Sequence, residues 1–139
     1  MPTNPLIFPD SQDNQSAEAK GQRKYPRYAV PWKIVVVYQR MGKREMYKGN
    51  ISDLSLGGGS FLTDINICSA EPVIATIEIP AHLHDQKNTI VGVKCLVLLS
   101  ILSSNYGKYR IGVKFVDFDG KGKIKLAEAL SKFKAIGEN

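Results

Sequence analysis

The sequence is poor in cysteine, histidine and tryptophan, with two, two and one of these among 139 residues. Cys68 and Cys95 do not form a Cys-x-x-Cys pair and are read as reduced thiols, not as a disulfide or a metal knuckle. Zinc takes about four ligands, and the only other soft donors are His82 and His84, in a loop between Pro80 and Asp85, so no metal is expected. No Ser-His-Asp or Cys-His arrangement stands out, and Asp117 and Asp119 read as the approach to a helix, which argues against an enzyme. The longest apolar stretch, Thr89 to Leu102, is broken by Gly92, Lys94 and Ser100. It falls short of the roughly 20 residues that span a bilayer, so it reads as a strand. The N-terminus lacks a basic segment followed by an apolar one, so the cytoplasm is the expected location.

What is present suits one soluble domain: 43% hydrophobic and 23% charged residues. The net charge of +6 is unevenly placed. Arg23, Lys24, Arg27, Lys33, Arg40, Lys43, Arg44 and Lys48 face a single acid, Glu45, within residues 23–48. Such a block attracts anions, phosphates most simply, although a solvated charged hairpin would look the same. Residues 1–21 carry prolines, serines and Asp, Asn and Gln around one apolar triplet, Leu6-Ile7-Phe8. This composition buries too little surface to offset ordering entropy, so 1–21 reads as a flexible tail and 22–136 as the domain.

From Lys33 the pattern is β. Ile34 to Tyr38 form a β-branched and aromatic run, Arg40 to Arg44 a turn with Gly42 at its centre, and Glu45 to Ile51 a second strand. Phe61-Leu62 starts a short strand, and Val73 to Ile79 alternates cleanly until Pro80. Thr89 to Leu102 is a long strand expected to bend or bulge at Gly92, and Tyr109 to Asp117 is the last. The period then changes. Ile124, Ala127, Leu130 and Phe133, widened by Leu126, form a helical stripe within Lys121–Ala135, with Asp119 as N-cap and Gly137 as stop. Six strands on short connections and one amphipathic helix predict a small antiparallel β-barrel covered by the helix.

Two segments exceed what a barrel needs. Gln22-Arg23-Lys24-Tyr25-Pro26-Arg27 places two arginines on one side of an extended arm, where guanidinium groups can grip phosphate oxygens or reach guanine O6 and N7. Plain surface charge is the alternative for this pair. Asp53-Leu54-Ser55-Leu56-Gly57-Gly58 is a turn between strands. Its carboxylate can accept from a guanine edge or hold an arginine, its serine can meet a phosphate or brace the loop, and Gly58 permits close backbone approach. An unliganded Asp-Ser-Gly turn is the alternative here.

Taken together, Arg23 and Arg27 followed by a hairpin and then Asp53, Ser55 and Gly58 resemble the RxxxR and DxSxxG signature of PilZ domains over roughly residues 22 to 135. The Gly58–Phe61 continuation and the late strand Ile111–Asp117 before a helix agree with it. The resemblance implies a six-stranded antiparallel barrel with a C-terminal helix, and cyclic di-GMP as the ligand of a bacterial receptor without enzymatic activity. It implies Arg23 and Arg27 as clamps on phosphate and guanine, Asp53 and Ser55 as polar contacts, and Gly58 as the point of close approach. Gln22, Lys24 and Gly57 are secondary candidates, and Tyr25 and Trp32 are candidates for stacking a base, Trp32 being more often a core residue. Ligand is expected to fold a loose arm, up to Lys33, onto the Asp53–Gly58 loop and so alter a surface for a protein partner. Two rivals are an adaptor of the same fold without ligand, and a basic barrel for nucleic acid. The second is disfavoured because the basic residues gather in one arm and hairpin and are not interleaved with aromatics.

Overall fold

The computed structural model describes residues 24–81, 86–103 and 107–137. The tail, Gln22, Arg23, His82 and His84 lie outside them. Six strands form one closed antiparallel barrel: β1 (Lys33–Arg40), β2 (Lys43–Leu54), β3 (Gly58–Thr63), β4 (Val73–Ile79), β5 (Thr89–Ser103) and β6 (Lys108–Phe118), in the order β1-β2-β3-β6-β5-β4. One helix follows, α1 (Gly122–Leu130). The expected architecture is the one observed.

Alternation explains the barrel. Ile34 and Val36 on β1, Val73, Ala75, Ile77 and Ile79 on β4, Val91, Val93 and Cys95 on β5, and Ile111, Val113 and Phe115 on β6 are all buried. Each recurs with the two-residue period that sends side chains to one face of a strand. Burying such a side chain contributes about 1.5–3 kcal/mol, so the interior is what closes the sheet. Both cysteines are free. Cys95 lies in the core, where loss of water pushes its thiol up to about 12.

Three local expectations differ from the structure. The long strand is irregular between Lys94 and Cys95 and between Val97 and Leu99, not at Gly92. Gly92 instead accepts a hydrogen bond at its carbonyl from the Asp119 amide (2.9 Å), which ties the segment after β6 back to β5. The helix is shorter than 121–135 and buries Gly122, Leu126 and Leu130, an i, i+4, i+8 stripe, while Ile124 is 69% exposed. Gly122, not Asp119, marks the start: a Cβ there would stand 3.2 Å from Val91 Cγ1, so a larger residue would have to push the first turn or Val91 aside by a few tenths of an ångström. No side chain caps the helix. Phe133 lies beyond it and meets Trp32 edge to face, at 5.5 Å between centroids.

The β1–β2 turn is tighter than expected. Arg40 pairs with Lys43, leaving Met41 and Gly42 as a two-residue loop with φ of 52° and 79°. This is the primed type of turn that suits the strand twist, and it prefers Asn-Gly. Left-handed backbone costs a non-glycine residue roughly 1–2 kcal/mol, and asparagine tolerates it best. Met41 is 93% exposed, so Met41→Asn should raise stability by about 0.5–1 kcal/mol, read as a higher denaturation midpoint at unchanged slope.

Candidate functional site

Polar side chains are seldom buried in so small a barrel, and four are buried among the described residues: Asp53, Ser55, Ser60 and Thr63. The first three belong to the β2–β3 corner. Their placement follows from one irregularity. Ile51 pairs with Phe61, but Asp53 pairs with Ser60, so Ser52 is an extra residue on β2. An unbroken register would set Asp53 opposite Gly59 and aim it, like Ile51, into the core. The bulge instead turns Asp53 to the outer face, beside Ser60.

On that face the carboxylate is well supplied with donors. Arg27 donates to Oδ1 through Nε at 3.0 Å and through Nη2. Ser60 Oγ donates to Oδ2 at 3.1 Å, and Arg110 Nη2 stands 3.9 Å from the same oxygen. Of the two roles open to Asp53, the structure shows the one in which it holds an arginine. Arg27 keeps its Nη1 uncommitted among the described residues, and its side chain is 28% exposed.

The arm is tied down on both sides. Tyr28 exchanges two backbone hydrogen bonds with Leu54, each 2.8 Å. The Ile136 amide donates to the Arg27 carbonyl at 2.7 Å. Residues 24–32 thus meet the barrel at two points, Arg27 at Asp53 and Tyr28 at Leu54. Arg23 and Gln22 fall outside the described residues.

Ser55 braces the turn. Its hydroxyl donates to the Gly58 carbonyl (3.2 Å) and accepts from the Gly57 amide (3.0 Å), while its own amide donates to the Gly58 carbonyl (2.8 Å). Gly58 is in close approach, but to β6: a Cβ there would lie 2.2 Å from the Val113 carbonyl oxygen. Gly57 faces Tyr25, whose ring Cδ2 would stand 3.0 Å from a Cβ at that position. Lys24 and Lys123 place their ammonium groups 5.4 and 5.5 Å from the centre of the Tyr25 ring, and Lys123 Nζ is 3.5 Å from its hydroxyl. Lys123, first by hydrogen bond and then by charge, draws the phenol below its usual range. Trp32 is 5% exposed and belongs to the core, which leaves Tyr25 as the aromatic side chain at this corner.

Sequence reasoning missed Arg110, Lys123 and Ser60. Arg110 carried a signal, because Ile111, Val113 and Phe115 point inward and so turn Arg110 outward on β6. Lys123 had none, since its nearness to Tyr25 depends on where the helix docks. No group of three or more His, Cys, Asp or Glu gathers among the described residues, and no helix there is long and apolar enough to cross a membrane.

A family model described as "PilZ domain" matches residues 21–132. Among solved structures, the chain is similar to the Bacillus subtilis inhibitor of motility MotI/DgrA, at 12% identity and a TM-score of 0.63, over 79% of this chain and 50% of that one. It is also similar to the K. pneumonia MrkH–c-di-GMP complex, at 15% identity and 0.52, over 79% and 51%. The chain thus spans about half the length of each of these two proteins. The PilZ domain of Escherichia coli YcgR, solved with c-di-GMP, matches at 14% identity and 0.47, over 81% and 91%. No curated protein matches by sequence.

The two glycines separate structure from recognition. Gly58→Ala drives a methyl into the main chain of β6 and should destabilise the fold by about 1–3 kcal/mol, whereas Gly57→Ala displaces only the Tyr25 ring and should cost under about 1 kcal/mol. Equal denaturation midpoints for the two variants would contradict this assignment. Asp53→Ala leaves Arg27 without its carboxylate. It should cost about 2 kcal/mol by chemical denaturation, less than the roughly 3–5 of a fully buried pair because Arg27 keeps part of its hydration.

Proposed function

Because the chain belongs to the PilZ family, we propose that it is a cytoplasmic, non-enzymatic receptor that binds cyclic di-GMP at the β2–β3 corner. The single observation that carries this reading is the concentration of cations at one corner, two beside the Asp53 carboxylate and two beside the Tyr25 ring. Lys24, Arg27, Arg110 and Lys123 converge on a corner whose one buried acid, Asp53, is already engaged by Arg27. A site with surplus positive charge and a half-buried aromatic ring suits a ligand of two phosphates and two guanines. The K. pneumonia relative, alike in fold, was solved with c-di-GMP, which supports the choice of ligand.

In this reading Arg27, oriented by Asp53, offers Nη1 to a phosphate or a guanine edge. Arg23 supplies the second guanidinium from the arm. Ser55 and Gly58 shape the turn, Gly57 and Tyr25 form the wall against which a base stacks, and Lys24 and Lys123 add charge. Gln22 is a secondary contact, and the receptor domain spans 22–136. Binding draws the arginine end of the arm onto the corner and changes a surface read by a protein partner. The ligand shifts that equilibrium only by its preference for the closed arrangement.

Calorimetry on the purified chain tests the proposal. Saturable binding is expected with cyclic di-GMP at up to about 100 µM. Arg23→Ala should weaken it by about ten- to hundredfold, the scale of a charge-assisted hydrogen bond of roughly 1.5–3 kcal/mol. Absence of heat, with the chain folded by circular dichroism, would favour an adaptor of the same fold over a receptor.

A further inference from the structure

β5 is longer than the barrel needs. Its residues Thr89–Cys95 pair with β4, and Val93–Ser103 pair with β6, so beyond Cys95 it has a strand on one side only. Across the open edge runs the loop 64–72, which meets β5 through the side chains of Asn66 and Ser100. Between that loop and the strand a groove is lined by Cys68, Ser69, Ala70 and Val97 to Ser100. No backbone hydrogen bond reaches this edge of 97–103 among the described residues.

The exposed segment is apolar on both faces. Leu98, Leu99, Ile101 and Leu102 are 62%, 43%, 57% and 58% exposed. Free edges are normally protected by charge, lysine above all, yet Leu96–Ser103 contains no charged residue. The pattern is also symmetric: two exposed apolar residues stand on each side of Ser100. An antiparallel two-fold axis at Ser100 would set Leu98 against Leu102 and Leu99 against Ile101, each pair twice, with two serines on the axis. A charged edge would repel its own copy in that arrangement, and this one carries nothing to repel. Self-complementarity of this kind is what an isologous interface requires.

We propose that this surface is a homodimer interface, in which loop 64–72 gives up its Asn66–Ser100 hydrogen bond and the distal half of β5 pairs antiparallel with the same segment of a second copy about Ser100. Sedimentation equilibrium of the intact chain from about 10 to 500 µM reads it by mass action. The expected mass is about twice the 15.4 kDa of one chain at the upper end. Leu98→Asp and Leu102→Lys are both at exposed positions and should each give a folded monomer. Combining the two substitutions in one chain brings opposite charges face to face in both cross-strand pairs and should restore the dimer. A wild-type chain that stays monomeric throughout overturns the proposal. A double variant as monomeric as the single ones overturns the pairing about Ser100.

Discussion

Asp53 has to lie on the outer face of a barrel and still be shielded from water, and the extra residue Ser52 meets both demands. Turned outward by the bulge, the carboxylate would be an ordinary surface acid if nothing covered it. The arm covers it, and the arm stays because Arg27 is held there by Asp53 while Tyr28 pairs with Leu54. Each half depends on the other. Without the bulge Asp53 would be a charge in the core, and without Arg27 it would be a poorly hydrated anion served by one hydroxyl and a distant guanidinium. The carboxylate therefore orients the arginine, which restricts the rotamers of one long side chain.

That arrangement has an electrostatic consequence. A carboxylate engaged by an arginine cancels one charge, yet Arg110, Lys24 and Lys123 remain around the same corner. The Tyr25 ring lies between two ammonium groups, and its phenol is drawn toward ionisation by Lys123. Both effects report one field, positive and open to solvent, at the mouth of the turn. An anion entering there displaces water from cations that lack a full set of partners, and this favours phosphate over a neutral ligand.

Most of the fold was legible because burial in a barrel writes itself as a period of two. β4 appears with the bounds read from Val73 and Ile79, and β1, β5 and β6 differ by a residue or two at their ends. What escaped were events that alternation does not encode. A bulge is visible only against its partner strand, so the shift at Ser52 and those near Cys95 and Leu98 had no local sign, while Gly92, the residue expected to bulge, serves a carbonyl contact instead. The helix stripe was drawn through Ile124 and Phe133 because an apolar residue every three positions looks amphipathic. Docking on Gly122 rotates the helix so that Leu126 and Leu130 point inward. At the corner, the motif residues Arg27, Asp53, Ser55 and Gly58 do come together, and Ser55 takes the bracing role that was one of its two expected ones. Ser55 serves the turn, whereas Gly58 serves the β3–β6 contact, whose backbone reason was invisible without β6.

The arm touches the barrel, the helix and the C-terminal stretch. Tyr25 meets Lys123 on α1, Arg27 accepts from the Ile136 amide, and Trp32 packs against Phe133. Ala135 is buried beside these contacts, although the helix has already ended at Leu130. Residues 133–136 are thus fastened to the arm more than to the strands. A displacement of Arg27 along the arm has to break or carry the hydrogen bond to Ile136, and a displacement of Tyr25 releases Lys123. Arg27 and Trp32 are thus joined to residues 133–136 by one hydrogen bond and one ring contact, and Tyr25 to the helix by another hydrogen bond. Coupling of this kind needs no change in the barrel, whose interior is too closely packed to transmit a graded shift.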